Sequence, residues 1–129
     1  MIDPALSGLD ILVVEDEYLL ADDLRAMLSQ AGARVAGPFA AVAHAAEWLD
    51  RGAAVDFALL DINLGGSLIF DLVARLRAAT VPIAFLTGYS HSAIPDIYAD
   101  IPVLDKAVLL GTPDRLMARI VEELGRVVA

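Results

Sequence analysis

The chain has 129 residues, 58% of them apolar, and its 9 basic against 18 acidic side chains give a formal charge of -9. This length predicts one domain with a core of its own, and the lack of cysteine excludes disulfides, thiolate zinc sites and cysteine nucleophiles. The acidity argues against nucleic-acid binding, because affinity for a phosphate backbone comes mostly from Lys and Arg. It fits a cation or a basic protein partner better.

Nothing in the sequence predicts a membrane segment. The uncharged residues 80–95 contain three prolines or glycines and are too short to cross a bilayer. Residues 1–8 lack the basic cluster and apolar run of a signal peptide. We therefore expect a cytoplasmic protein with no membrane partner, and one domain over residues 1–129 in which residues 1–8 form an N-terminal extension.

Short apolar runs alternate with longer segments of helical period, which is typical of strands and helices in a parallel sheet. The apolar runs predict five strands, at residues 11–14, 34–37, 57–60, 82–86 and 101–104. The periodic segments predict helices at residues 19–31, 42–49 and 68–76, a short or irregular fourth helix within 89–99, and a last helix from 112 onward. Such alternation needs right-handed crossovers, so we expect an α/β fold with a doubly wound sheet and helices on both faces.

The helix boundaries are marked by familiar signals. Gly32 and Gly52 end the first two helices, Ser67 is a candidate N-cap of the third, and Pro95 interrupts the fourth. The predicted apolar face of the first helix contains Leu19, Leu20, Leu24, Met27, Leu28 and Ala31. That of the third contains Leu68, Leu72, Val73 and Leu76.

Polar residues follow four of the apolar strands. The first strand ends in Glu15 and Asp16, the third in Asp61, the fourth in Thr87 and the fifth in Lys106. In a doubly wound sheet the carboxyl ends of the strands border the ligand site. An isolated Asp after a strand is usually a helix cap, and a lone Lys is usually a surface charge. Their joint occurrence at strand ends favours a functional site.

The types of residue at these strand ends suggest a chemistry. Three carboxylates in one crevice raise one another's pKa unless a cation lies among them, and oxygen ligands of this kind suit Mg²⁺. A lysine and a hydroxyl are what an incoming phosphoryl group needs, because its transfer depends on positioning and neutralising its oxygens. Asp61 stands centrally and is the natural nucleophile.

Four segments carry a resemblance to a known family. They are residues 11–17 (ILVVEDE), 59–64 (LLDINL), 85–89 (FLTGY) and 103–106 (VLDK). Together they resemble the receiver domain of response regulators in two-component signalling, over essentially the whole chain. The resemblance implies a flavodoxin-like strand order, 2-1-3-4-5. Residues 85–89 also resemble the FAT GUY receivers, which are commonly associated with kinases of the HWE and related types.

The resemblance assigns roles to particular residues. It implies that a histidine kinase or phosphotransfer protein phosphorylates Asp61, and that a downstream protein partner reads the result. Asp16 and Asp61 bind Mg²⁺ directly in this scheme, Asn63 binds it through its backbone carbonyl, and Glu15 binds it through water.

The resemblance also assigns roles to residues that would contact the phosphoryl group. Thr87 moves its hydroxyl toward a phosphoryl oxygen on activation, and Lys106 pairs with another. Tyr89, two residues beyond Thr87, is a candidate for shielding the phosphoryl group from water. The domain is then not an enzyme beyond its self-catalysed phosphoryl uptake and autodephosphorylation.

The sequence departs from the family pattern at three positions. Val103 replaces the aromatic residue that usually reports phosphorylation, so a simple Thr and Tyr switch cannot operate. Ala107 replaces the proline after the lysine, where a cis peptide bond would cost a non-proline residue about 3 kcal/mol. Gly65 stands where proline is frequent. We expect that the loop over residues 106–111 differs or that Lys106 is less firmly aimed, and that output occurs through ordering of residues 89–101 rather than an aromatic flip.

Several functions compete at this stage. A phosphorylatable receiver acts as a switch, or as a phosphoryl shuttle or sink. A receiver-like docking module would work without phosphorylation. A haloacid-dehalogenase phosphatase would need a second Asp where Asn63 stands, and a flavin-binding domain would need a phosphate-cradling loop where the acidic residues 15–17 stand. The sequence does not identify the kinase, or whether the domain stands alone.

Overall fold

The computed structural model describes residues 6–66, 68–88 and 94–106, together with Ala118 and Glu122. In this part of the chain, strands and helices alternate as predicted, with a short 3-10 helix before the last strand. The elements are β1 (Asp10–Val14), α1 (Tyr18–Gln30), β2 (Arg34–Phe39), α2 (Val42–Asp50), β3 (Phe57–Asp61), α3 (Leu68–Ala78), β4 (Ile83–Thr87), the 3-10 helix (Asp96–Tyr98) and β5 (Val103–Asp105).

The five strands form one parallel sheet in the order β2-β1-β3-β4-β5. This confirms the predicted fold class and the flavodoxin-like order. The direction of winding reverses between β1 and β3, since β2 lies on one side of β1 and the later strands lie on the other. In such sheets ligands bind beyond the carboxyl ends of the strands at this reversal.

The central strands are buried on both faces. Every residue of β3 and β4 is buried, as are four of the five residues of β1, which is why these segments are nearly continuous apolar runs. One face packs against α1 through Leu20, Leu24 and Leu28, and the other packs under α2, α3 and the 3-10 helix. Full burial of one such leucine side chain contributes about 2 kcal/mol.

Two predicted core positions are wrong. Leu19 is 76% exposed and Leu68 is 54% exposed, although both belonged to a predicted apolar face. The buried stripe of α1 recurs at four-residue steps from Leu20, and that of α3 starts at Ile69. Leu19 and Leu68 each precede their stripe by one residue, a rotation of about 100° that turns the side chain to solvent.

A bulge in β2 shapes the edge of the sheet next to the first acidic residues. The register between β1 and β2 shifts between Leu12 and Val14. Gly37 lies opposite this shift with φ of 94°, and a Cβ there would come within 2.7 Å of the Val13 carbonyl oxygen. Only glycine fits without a shift of the backbone. The Phe39 carbonyl beyond the bulge accepts a hydrogen bond from the Glu15 N–H at 3.0 Å.

The described part of the segment before β5 contains a single 3-10 turn after Pro95, which agrees with a short or irregular fourth helix. Residues 89–93 of that prediction lie outside the described part of the chain. β5 begins at Val103, two residues later than predicted, because Pro102 has no N–H to donate to the sheet. Of the predicted last helix, Ala118 and Glu122 are helical, and its other residues lie outside the described part of the chain, as does the candidate cap Ser67.

An aromatic cluster ties the 3-10 helix to α3. Phe70 of α3 stacks on Tyr98 with ring centroids 6.1 Å apart and an interplanar angle of 9°, and its edge meets Phe85 of β4 at 6.3 Å. The guanidinium of Arg77 lies 5.6 Å from the Tyr98 ring centroid and forms an ion pair with Asp100. We call Phe70, Phe85, Tyr98 and Arg77 the aromatic cluster.

Candidate functional site

The polar residues predicted at the strand ends share one edge of the sheet. Asp61 and Thr87 are the last residues of β3 and β4, and Glu15 directly follows β1. Lys106 directly follows β5, whose last residue pairs with Thr87 in the sheet. The parallel arrangement therefore places side chains from the ends of four strands in one crevice, as the sequence indicated.

Four of these residues are buried. Among the described residues, the buried polar or charged ones are Glu15, Asp61, Thr87 and Lys106, with exposed fractions of 1%, 2%, 1% and 6%. Burial of charged groups is costly unless they are paired, so an accumulation of this kind typically serves function rather than stability. Asp16 lies beside them but is exposed.

The ammonium of Lys106 holds the buried charges together. Its Nζ donates hydrogen bonds to Glu15 Oε2 at 3.2 Å, Glu17 Oε1 at 3.1 Å and Asp61 Oδ2 at 3.0 Å. Burial alone would disfavour the charged ammonium, but these three carboxylates outweigh it and raise the pKa of Lys106 above its usual range. We call Glu15, Glu17, Asp61 and Lys106 the charged cluster.

Glu15 is the most deeply buried carboxylate of this cluster. Burial raises the pKa of its carboxyl, and the charge of Asp61 adds to that, while hydrogen bonds from Lys106 and from the Glu17 N–H lower it. Its Oε1 lies 2.9 Å from Lys106 Nζ, close enough for an ion pair. The alignment is not that of a hydrogen bond, and this oxygen has no hydrogen-bond partner among the described residues.

Both oxygens of Asp61 are held in place. Oδ1 accepts a hydrogen bond from the backbone N–H of Asn63 at 2.9 Å, and Oδ2 accepts one from Lys106 at 3.0 Å. The carboxylate thus has a fixed orientation at the end of a rigid strand. The side chain of Asn63 is exposed, and a metal-binding role for its carbonyl stays a prediction.

The acidic residues fit a hard divalent cation. Glu15, Asp16 and Asp61 each offer a carboxylate oxygen, and these three oxygens lie within 4.8 Å of one another. Mg²⁺ prefers oxygen ligands and keeps several of its waters, so two or three carboxylates suffice. The Glu15 oxygen without a hydrogen bond is suited to accept one from a metal-bound water.

One member of the charged cluster was not predicted from the sequence. Glu17 precedes α1 at the N-cap position, where its side chain makes no capping hydrogen bond. It reaches Lys106 instead, across 89 residues of sequence. The signal that could have found it is the residue type, because Glu is not among the residues favoured at an N-cap, which are Ser, Thr, Asp, Asn and Gly.

Two of the departures from the family pattern can be located. Val103 is half-buried and packs against the core on the face of α3. Gly65 has φ of 75°, a conformation that the ring of proline forbids. Tyr89 and Ala107 lie outside the described residues, so their predicted effects on the site stay predictions.

The comparisons with known proteins agree with this geometry. Residues 11–102 match the family of response regulator receiver domains, and the match spans well over half of the chain. The chain therefore belongs to the receiver domain family of response regulators. Membership implies a phosphoacceptor role in two-component signalling, with a histidine kinase or phosphotransfer protein as partner. No curated protein sequence gives a significant match.

Solved structures show the same likeness. The solution structure of SdrG from Sphingomonas melonis Fr1 is 29% identical, with a TM-score of 0.71 over 97% of this chain and 98% of SdrG. The BeF3-activated conformation of SdrG matches at 30% identity and a TM-score of 0.69, over 94% of this chain and 99% of that one. The receiver domain of the TMAO respiratory system response regulator TorR is 28% identical, with a TM-score of 0.74 over 93% and 99%.

Helix length bears on the membrane prediction. Within residues 6–66, 68–88 and 94–106, no helix is both long and apolar enough to cross a bilayer.

Proposed function

We propose that this receiver domain takes up a phosphoryl group on Asp61 in a reaction that depends on Mg²⁺. One observation carries the proposal. Asp61 is buried at a strand end, 3.0 Å from the ammonium of Lys106, and shares a carboxylate cluster with Glu15 and Asp16. A nucleophile, a cation for the phosphoryl oxygens and a candidate metal site therefore lie within one crevice.

The residues of the chain have distinct tasks in this reaction. An oxygen of Asp61 forms a bond to phosphorus while the bond between phosphorus and the donor's imidazole nitrogen breaks, and that nitrogen leaves with the electron pair. Lys106 binds a phosphoryl oxygen. Thr87, buried at the end of β4, donates a hydrogen bond from its hydroxyl to another phosphoryl oxygen. Asp16, Asp61 and the Asn63 carbonyl would hold Mg²⁺ directly and Glu15 would hold it through water, and the ion would neutralise charge that develops on the phosphoryl oxygens.

The partners follow from family membership and from one segment of the sequence. The phosphodonor is a histidine kinase or phosphotransfer protein, and a downstream protein partner reads the phosphorylated state. We assign the chain to the FAT GUY type on residues 85–89, which favours a kinase of the HWE or a related type. The domain acts in the cytoplasm as a switch, or as a phosphoryl shuttle or sink, and turns over no substrate other than its own phosphoryl group.

The direct test is phosphoryl uptake from acetyl phosphate, measured by intact mass with and without Mg²⁺. We expect the mass of one phosphoryl group to be added when Mg²⁺ is present, and none to be added to Asp61→Asn. Asp71→Asn, an exposed carboxylate in the first turn of α3, is the matched control and should be labelled like the natural chain.

The other outcomes separate the competing functions. If Mg²⁺ binds but no donor labels the chain, including a histidine kinase of the HWE type, the domain is a docking module that works without phosphorylation. If neither Mg²⁺ binding nor labelling is detected, the assignment of the site is wrong. Labelling that persists in Asp61→Asn would place the acceptor on another residue.

A further inference from the structure

We propose that Glu17 is a positioning residue that occupies Lys106 in the unphosphorylated domain and must release it before a phosphoryl oxygen can bind. This inference rests on the proposed function. Its basis is the number of hydrogen bonds available to one ammonium, together with the unequal burial of the three carboxylates that use them.

The first step is a count of donors. A lysine ammonium has three N–H groups and no acceptor. Lys106 donates to Glu15, Glu17 and Asp61 at 3.0 to 3.2 Å, so all three donors are engaged. A phosphoryl oxygen can hydrogen-bond to this ammonium only if one of the carboxylates gives way.

The second step identifies which carboxylate gives way. The side chains of Glu15 and Asp61 are 0% and 4% exposed, and both belong to the candidate metal cluster. The side chain of Glu17 is 58% exposed and does not belong to it. Before the transfer, release of Glu17 returns a carboxylate to water, whereas release of either of the others withdraws the ammonium from a buried carboxylate. Glu17 is therefore the group that is displaced.

The third step concerns charge. The Glu17 carboxylate lies 3.1 Å from the nitrogen that a phosphoryl oxygen must approach, and it carries the same sign as that oxygen. It also makes no helix-capping hydrogen bond that would require its presence. Its contact with Lys106 therefore keeps the lysine aimed into the crevice and opposes entry of a phosphoryl group.

Lys106 is the only lysine in the chain, which makes the contact directly measurable. Protein labelled with ¹⁵N-lysine gives one side-chain ammonium signal in an NMR spectrum. The test records this signal and the affinity for BeF3, used as a phosphoryl analogue with Mg²⁺, for the natural chain, Glu17→Gln and Glu17→Asp. Asp23→Asn on the exposed side of α1 removes an equal charge away from Lys106 and is the matched control.

We expect Glu17→Gln to shift the Lys106 signal in the protein without BeF3, because its neutral amide is a weaker acceptor. Loss of the opposing charge should tighten BeF3 binding and speed uptake from acetyl phosphate by roughly two- to fivefold, the range of an exposed ion pair. Glu17→Asp keeps the charge but is one methylene too short for the contact, so it should give a smaller increase. Asp23→Asn should change neither measurement.

Two results would overturn the inference. One is a Lys106 signal that is the same in Glu17→Gln and the natural chain. The other is BeF3 affinity that falls or stays constant when Glu17 is replaced, which would mean that Glu17 assists binding or has no part in it. Failure of the proposed function is distinguishable, because the natural chain itself would then bind no BeF3 while the NMR comparison would still report on the contact.

Discussion

The charged cluster and the aromatic cluster have opposite effects on the stability of the fold. The charged cluster gathers three carboxylates around one ammonium, a net charge of -2 in a largely buried place. The aromatic cluster places three rings and one guanidinium so that each ring contacts another and the cation faces a ring. The charged cluster lowers the stability of the fold, because its buried charges are not balanced. The aromatic cluster raises that stability through its ring contacts and its cation–π contact.

This difference separates a region that serves the proposed reaction from a region that serves stability. In the proposed reaction the crevice binds a divalent cation, and without that cation its carboxylates leave excess negative charge, whereas the contact between helices has no such requirement. β4 connects the aromatic cluster to the strand ends of the site, because Phe85 stands two residues before Thr87 and on the same side of the strand.

The largest expected effect is loss of the only cation in the charged cluster. Lys106→Met leaves the carboxylates of Glu15 and Asp61 buried without a cation and should lower the free energy of unfolding by about 3 kcal/mol, measured by urea denaturation without metal. Mg²⁺ should restore part of this loss, because it neutralises the same carboxylates. Arg51→Met removes an exposed positive charge and serves as the control.

A second variant sharpens this prediction. Adding Glu15→Gln to Lys106→Met removes one of the unpaired buried charges and should recover part of the lost stability. If the double variant is less stable than Lys106→Met alone, the loss does not come from unpaired charge on Glu15.

The next effect concerns the aromatic cluster. Tyr98→Leu removes the stack on Phe70 and the contact with Arg77, and should lower the free energy of unfolding by about 2 kcal/mol. Unlike the loss in Lys106→Met, this loss should be the same with and without Mg²⁺. Ile97→Ala, at a 71% exposed position of the same 3-10 helix, should change stability much less.

The contribution of the ring pair can be isolated by a double-mutant cycle of Tyr98→Leu and Phe70→Leu. Because the two rings contact each other, the combined loss should be smaller than the sum of the single losses. Strict additivity would show that the stack contributes nothing beyond the burial of each ring.

The sheet could be predicted from the sequence because its signals are local. Each central strand is an apolar run that ends in a polar residue, and the rule that parallel strands share their carboxyl edge then brings Glu15, Asp61, Thr87 and Lys106 together. The predicted helix faces were wrong at Leu19 and Leu68. Each is an apolar residue directly before the first buried residue of its helix, so the apolar pattern does not distinguish the two positions.

The contacts between distant residues could not be predicted. Glu17 and Lys106 are separated by 89 residues, and Phe70 and Tyr98 lie on different elements. Whether such pairs meet depends on how α1 and the 3-10 helix pack on the sheet, which no local pattern specifies. The bulge at Gly37, which helps to hold Glu15, is likewise a property of two paired strands.

The smallest predicted effect is the pH dependence of the ion pair that flanks the aromatic cluster. The hydrogen bond from Arg77 holds the pKa of the Asp100 carboxyl below its usual 3.8. A lowered pKa means that the unfolded chain binds this proton more readily, so the pair stabilises the fold above pH 3.8 and loses its effect as the pH falls through the lowered value.

Because the Asp100 side chain is 64% exposed, solvent screens most of this interaction. Asp100→Asn should therefore lower the free energy of unfolding by only a few tenths of a kcal/mol at pH 7. Urea denaturation of the natural chain and the variant from pH 7 downward should give a constant difference above pH 3.8 that shrinks below it. Ile97→Ala, at an exposed position of the same 3-10 helix, removes no ionisable group and is the control. No difference at pH 7 would mean that Arg77 holds the 3-10 helix through the Tyr98 ring and not through Asp100.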